Sequence, residues 1–310
     1  LEGEAGELMA RIDINGNELE YGENGSGEAL VLVHGSASDL RTWDQQRAFF
    51  TKHFRVIHYS RRYHWPNEAI EDGTDFSMGE HVDDLEALVR SLDAAPAHLV
   101  GHSYGAFLCL LLALRKPSLV RSLVLAEPPV ITLFVSSTPK LPELLRLVAT
   151  RPRTAAAIIR FGAMGVVPAG KAFRAGDADA GIRTFGDAVF GRGGYDRLPE
   201  ARKAQVHDNL SNVKAEVLGS GFAPLDSGEL RKMEVPALLV TGAKSISLFH
   251  RLIDHLEEML PKVERVEIPG ASHMMHEDNA TAYNVAVRSF LESQRAVAGT
   301  AKADDVVSLG

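Results

Sequence analysis

Apolar positions along this chain follow two periods that alternate, except between Pro129 and about Leu230. Residues 11–21 alternate apolar and polar on either side of Asn15-Gly16, which predicts a β-hairpin, and Gly22 to Gly27 reads as a turn-rich loop. Ala29-Leu30-Val31-Leu32-Val33 is a continuous apolar run of strand length, as a parallel strand covered on both faces requires. A helix from about Thr42 and a strand over 55–60 follow. Ser77 is then placed to cap a helix carrying Val82, Leu85, Leu88, Val89 and Leu92 at helical spacing. A short strand through Leu99-Val100, a helix from Tyr104, and a strand over 120–126 continue the alternation. It resumes after the gap with a strand over 237–242, a helix over Phe249, Leu252, Ile253, Leu256 and Leu260, a strand over 263–268, and a last helix from about Asn279 to Gln294.

Alternating strands and helices predict an α/β class with a mostly parallel sheet flanked by helices. The interruption reads as amphipathic helices broken by Pro and Gly: 141–150, 154–161, a run around 185–190, and 199–218. The expected organisation is therefore a core of 1–128 and 231–295, with a helical cap of 129–230 over the strand ends. Residues 296–310 are small and polar and are expected to be a disordered tail.

Composition narrows the picture without changing it. The 310 residues are 45% hydrophobic and 24% charged, as in ordinary globular chains. A net charge of -8 with no basic block points away from nucleic acid and from an anionic membrane as partner. No stretch offers the ~20 uninterrupted apolar residues of a span. The acidic first seven residues lack a basic-then-apolar leader pattern, so the expected compartment is the cytoplasm. Cys109, the single cysteine, falls in an apolar helix and reads as a buried thiol. No His pair at i, i+4 with a general-base Glu, no paired Cys and no acidic calcium loop appears, so neither metal nor cofactor is expected.

The chemistry gathers at Gly101-His102-Ser103-Tyr104-Gly105, between an apolar strand and a helical pattern. A serine at such a turn is held in a strained conformation, and its neighbours two positions away must lack side chains because strand and helix pass close together. The turn raises the hydroxyl above the sheet edge and aims the first helical N–H groups at whatever it attacks. Ser103 is thus the candidate nucleophile. A serine hydroxyl needs a base within hydrogen-bond reach. His273, on a loop after a strand and a Pro-Gly-Ala-Ser turn, is the first candidate, and His276 is the rival. His102 reads as a packing residue.

These motifs, with His34-Gly35-Ser36 upstream and Gly270-Ala271-Ser272-His273 near the end, resemble the α/β-hydrolase superfamily over about residues 10 to 295. The resemblance implies the α/β-hydrolase fold and favours His273 as base. It places one oxyanion donor at the Tyr104 N–H and the second just after His34-Gly35, at the Ser36 N–H. It also implies a pocket near His34 and Gly35, with Trp65 in the aromatic, basic loop 61–67 and Phe134 in the cap as further substrate-binding candidates. Most of the family carries an Asp a few residues after the strand ending in Gly242, to orient the base. This chain has Ser245 there, beside Lys244. Either the chain is catalytically crippled, or the acid comes from the other position the superfamily uses, the end of the strand after the nucleophile helix. Glu127 stands there, and a carboxylate at a buried strand end costs several kcal/mol unless paired, which favours the second explanation. Asp254 and Asp278 are more distant candidates. A serine at the elbow disfavours epoxide hydrolase and dehalogenase chemistry, where relatives use an Asp. The implied activity is hydrolysis of a small or medium apolar ester or lactone. A C–C hydrolase, a perhydrolase or a non-catalytic receptor on the same fold are the alternatives.

Overall fold

The computed structural model describes residues 9–307, and side chains up to Arg295; the acidic first seven residues lie outside the described residues. Eight strands form one sheet: β1 (Met9–Ile14), β2 (Asn17–Asn24), β3 (Ala29–Val33), β4 (Arg55–Tyr59), β5 (Ala97–His102), β6 (Val120–Ala126), β7 (Ala237–Gly242) and β8 (Val263–Ile268). Their order is β1-β2-β4-β3-β5-β6-β7-β8. The first two pairings are antiparallel and the other five parallel. The hairpin turn places Asn15 and Gly16 at φ 51° and 77°, the left-handed values that match the twist of the flanking strands. Gly22 to Asn24, expected in a loop, is strand instead, because β4 supplies a ladder partner as far as Asn24.

Helices cover both faces. On one side α2 (Met78–Ser91), α3 (Tyr104–Arg115) and α11 (Ser247–Glu257) pack on β3, β5, β6 and β7 through residues such as Leu85, Leu108 and Leu252. On the other, α1 (Asp44–Phe50) and α13 (Ala280–Val307) bring Phe50, Tyr283 and Phe290 to the sheet. The continuous apolar strands follow from this, since both faces of β3 are buried. Cys109 is buried in α3. Ser77 stands at the start of α2 in an extended conformation, but its side chain makes no capping bond. The tail expected to be disordered from residue 296 is helical to Val307, with 308–310 outside the described residues. Alanine recurs through 296–303, and extending a formed helix with good helix formers costs little.

Between β6 and β7 the chain is helical: α4 (Leu141–Thr150), α5 (Pro152–Phe161), a π turn (Gly162–Val166), α6 (Val167–Arg174), α7 (Ala178–Phe190), α8 (Glu200–Asp208), α9 (Leu210–Leu218) and the single turn α10 (Ser227–Leu230). Helix α12 (Met275–Asp278) precedes α13. Gly162, Gly165, Pro168 and Gly170 read as breakers, yet helix runs unbroken from Pro152 to Arg174. Gly165 is needed there because a Cβ would run into the Ala188 methyl of α7. The helix expected over 199–218 divides at Asn209 for an identifiable reason. The buried Asn209 side chain donates to Asp39 Oδ2 (2.8 Å) and accepts from the Trp65 N–H (2.9 Å), so the break is where the cap is pinned to the core. Gln205 donates to the other oxygen of Asp39 (2.8 Å), and Arg41 to both. Burial pushes the Asp39 carboxyl up, and the bonds from Arg41, Gln205 and Asn209 more than reverse it.

Buried histidines predict an acid-sensitive fold. Burial holds His34 down to about 3, His58 and His98 down to about 4, and His64, His81, His102 and His276 well below the ordinary value. A depressed imidazole binds its proton more readily in the unfolded chain, so its stabilisation is complete above pH ~6.5 and shrinks as pH falls towards its folded value. Each such group withdraws about 1.4 kcal/mol per pH unit in that window. Glu216, raised to about 7 by burial, acts oppositely between its ordinary value and 7, but it is one group against seven. The melting temperature should therefore fall steeply from pH 6.5 to 4.5 and change little from 7.5 to 8.5. A flat profile across the acid range in a thermal-melt series would show that these rings are already charged.

Candidate active site

Strand β5 delivers Ser103 to the sheet edge at φ 51° and ψ −118°, a conformation L-residues rarely adopt. Its N–H is fixed on Ala126 O (2.8 Å) and its carbonyl accepts from Phe107 N (3.1 Å), so strand and helix overlap at this residue. The flanking glycines are steric necessities. A Cβ on Gly101 would lie 2.5 Å from the Ala106 Cα, and one on Gly105 would strike the Val33 and His34 carbonyls.

His273 arrives on the loop after β8. Asp278 Oδ2 accepts from the Ser272 N–H (2.7 Å) and hydroxyl (2.6 Å), and this carboxylate thus shapes the loop rather than touching the ring. The ring stacks on Phe249 at 4.0 Å with an interplanar angle of 12°. Its Nδ1 lies 2.6 Å from Glu127 Oε2. Glu127 is fully buried at φ 47°, and its Oε1 accepts from the Gly242 N–H (2.9 Å). Both carboxylate oxygens are therefore occupied, which offsets the cost of burying the charge. With Nδ1–H donated to the carboxylate, Nε2 keeps its lone pair.

The other acid candidates lie elsewhere. Asp254 accepts from Arg265 (2.8 Å) on the surface, and the Lys244 side chain is exposed. Ser245 Oγ has no hydrogen-bond partner among the described residues. His276 is buried beneath the site, with Nε2 2.9 Å from Thr42 Oγ1 and its ring 4.5 Å from His102. His102 packs between the two, its Nε2–H donating to the His273 carbonyl (2.8 Å).

Tyr104 is the first residue of α3, so no intrahelical carbonyl receives its N–H. Gly35 runs against the elbow, where a Cβ would come 3.1 Å from Ser103 Cβ. Ser36 follows, its hydroxyl donating to Glu216 Oε1 of α9 (2.5 Å). The peptide joining Gly35 to Ser36 is held from behind by Arg61, whose Nη2 donates to Gly35 O (3.0 Å). Burial lowers the Arg61 guanidinium, which lies 4.7 Å over the Tyr104 ring. His34 is part of this scaffold rather than a substrate contact. It is fully buried, donating from Nδ1 to Gly35 O (2.9 Å) and accepting the Arg61 N–H on Nε2 (2.9 Å).

Two cavities meet at Ser103. One of about 490 Å³ under the cap is walled by Phe76, Leu144, Ile158, Phe161, Phe185 and Leu248, with Glu216, Ser36, Thr132, Ser136 and Ser137 among its polar residues. A smaller one of about 50 Å³ is lined by His102, His273, Phe190 and Arg202. Ser36, Ser103, Phe185 and Val189 belong to both. Trp65 and Phe134 line neither cavity. Trp65 is 41% exposed beneath the Arg41 guanidinium (3.8 Å), and Phe134 packs on the His255 ring (4.6 Å). An aromatic residue near a strand end does not reveal which way its ring turns. Leu133 likewise packs against the core, while Ile158, Phe161 and Phe190 face the cavities. Glu216, Phe249 and Arg202 were not legible as site residues, because each sits at ordinary helical spacing. Among the described residues no cluster of three His, Cys, Asp or Glu could hold a metal ion.

Comparison with known proteins agrees with this fold. The family model described as "Alpha/beta hydrolase family" matches residues 30–286. A 2-(acetamidomethylene)succinate hydrolase of Mesorhizobium japonicum is 26% identical over 92% of this chain and 96% of its own length. Among solved structures, a thermophilic esterase from Thermogutta terrifontis superposes with a TM-score of 0.67 at 22% identity, covering 93% of this chain and 99% of that one. The enol-lactonase from Burkholderia xenovorans does so at 0.63 and 21%, covering 91% and 100%. At these identities the structural likeness speaks for the fold alone.

Proposed function

The chain belongs to the alpha/beta hydrolase family and is a hydrolase, and from that premise we propose that it cleaves a carboxylic ester or lactone of a small to medium apolar substrate through an acyl-enzyme. The observation that carries this is the meeting of Ser103, in its strained elbow, with the Glu127–His273 pair at one cavity. In this reading His273 Nε2 takes the proton as Ser103 Oγ attacks the carbonyl carbon, and Glu127 stabilises the imidazolium. The N–H groups of Tyr104 and Ser36 receive the developing oxyanion. His273 returns the proton to the leaving alkoxide, and water, activated by the same ring, releases the acid.

The walls of the larger cavity support an apolar acyl or alcohol part, and the cap over residues 129–230 shields it from water. The relative named above acts on a substituted succinate, which carries negative charge. Here the larger cavity presents a carboxyl group, Glu216, whose burial raises it to about 7, and this disfavours an anionic substrate on that side. The pairing of Glu127 with His273 weighs against a non-catalytic receptor, which has no need of a buried carboxylate on its histidine.

A panel of chromogenic esters of increasing acyl length, lactones, anilides and C–C cleavage substrates tests the reading. Esters or lactones should be turned over, with kcat/KM higher for medium than for acetyl groups. Turnover confined to anilides or to C–C substrates would overturn the proposed bond specificity.

A further inference from the structure

Residues 140–174 carry seven basic side chains and one acid, Glu143, within a chain whose total charge is -8. They are spaced along the sequence, so no basic run marks them, but the folded cap carries them on α4, α5 and α6 and on the residues that precede α4 and α5. All seven are exposed. Arg151 pairs with Glu258 (3.1 Å), whereas Arg146, Arg153, Arg160, Lys171 and Arg174 make no ion pair among the described residues. The next acids along the chain are Asp177 and Asp179. The same helices hold most of the large exposed apolar side chains of the described residues: Leu141, Leu145, Val148, Ile159, Met164 and Val167 are 42–68% exposed. Leu141, Leu145 and Val148 form one stripe on α4.

We propose that this face of the cap docks on the surface of an anionic phospholipid bilayer, its apolar side chains entering the interface and its arginines and lysines meeting the headgroups. Apolar residues among Lys and Arg on surface helices are the composition that lies in a membrane interface. The helical run Pro152–Arg174 is long and apolar enough to cross a membrane, yet only 28% of its most apolar window is buried, and Gly165 locks it against α7. It lies along the surface instead. A second copy of this chain fits the face poorly, because a two-fold contact would set two strongly basic patches against each other. The net charge, which points away from an anionic membrane, averages over this local excess.

Ile159 and Val167 also line the larger cavity, so the face is continuous with its mouth. On the proposed function, an apolar ester dissolved in the bilayer would reach Ser103 without crossing water. The docking itself does not depend on that function.

Sedimentation of the full chain with vesicles of phosphatidylcholine, alone or mixed with phosphatidylserine, tests the proposal. Partitioning onto the mixed vesicles should exceed that onto neutral ones by at least about tenfold and weaken as salt rises, each removed charge costing about fivefold. Arg153→Glu with Arg160→Glu should lower it at least about tenfold, and Leu145→Glu with Met164→Glu should abolish it. None of these four side chains lines a cavity, so turnover of a soluble ester should be unchanged and reports an intact fold. Equal partitioning onto both vesicle types, or none onto either, overturns the proposal. Dimerisation in ultracentrifugation that Leu145→Glu removes, without vesicle binding, would assign the face to a second copy.

Discussion

Replacing Ser103 with alanine is expected to lower kcat by about 10⁶-fold and to abolish labelling by a fluorophosphonate, with the melting temperature nearly unchanged. The size follows from the site acting as a unit: without the hydroxyl, neither the His273–Glu127 pair nor the oxyanion donors have a covalent step to assist. What survives is the residual catalysis of binding and of the Tyr104 and Ser36 N–H groups, on the order of 10³–10⁴ over water. Folding should be spared because alanine meets the same backbone strain at φ 51° that serine does, and the bonds at this residue to Ala126 and Phe107 are backbone bonds. Mass spectrometry of the labelled protein checks the assignment. A label that persists on Ser103→Ala moves the nucleophile elsewhere.

Glu127→Gln is expected to cost about 10⁴-fold, as when a triad aspartate becomes asparagine. The carboxylate accepts two bonds, one from His273 Nδ1 and one from the Gly242 N–H, and an amide oxygen can take only one of those places. If the amide NH₂ faces His273, it donates to Nδ1 and forces the proton onto Nε2, where the base is needed. If it faces Gly242, two donors are opposed in a buried site, which costs about 1–3 kcal/mol of stability. The first arrangement kills turnover and the second also lowers the melting temperature. Ser245→Ala, at the position where relatives place their acid, should change kcat/KM by no more than a few fold. The opposite ranking of these two variants would falsify the relocated acid.

The elements that position this site were legible where one local pattern settles them. The Gly-X-Ser-X-Gly turn is forced by close approach of strand and helix, and Glu127 stood out because the family resemblance points to that strand end and a carboxylate buried there demands a partner. Directions of side chains were not legible. His34 was expected to face the substrate because it precedes the oxyanion turn, but it is the imidazole that braces that turn, bonded to Gly35 and to the Arg61 backbone. Trp65 was expected in a pocket wall, whereas its backbone and ring serve the joint between core and cap. The glycines of 162–170 carried the breaker signal of a loop, but a helix tolerates glycine where a neighbouring helix crosses closely. Net charge is silent on a related point, since a sum over the chain averages over the seven basic side chains of 140–174.

The serine and the carboxylate of the proposed triad end adjacent paired strands ahead of the cap, while the imidazole comes after it, 146 residues beyond Glu127. At ~5–20 residues per second, a ribosome needs roughly 7–30 s to cover that distance. Throughout that interval the nascent chain can pair β5 with β6 and form the elbow, yet its serine has no base to activate it. A chain stalled anywhere in the cap likewise lacks His273. On the proposed function, hydrolytic chemistry therefore waits until nearly the whole protein has been made.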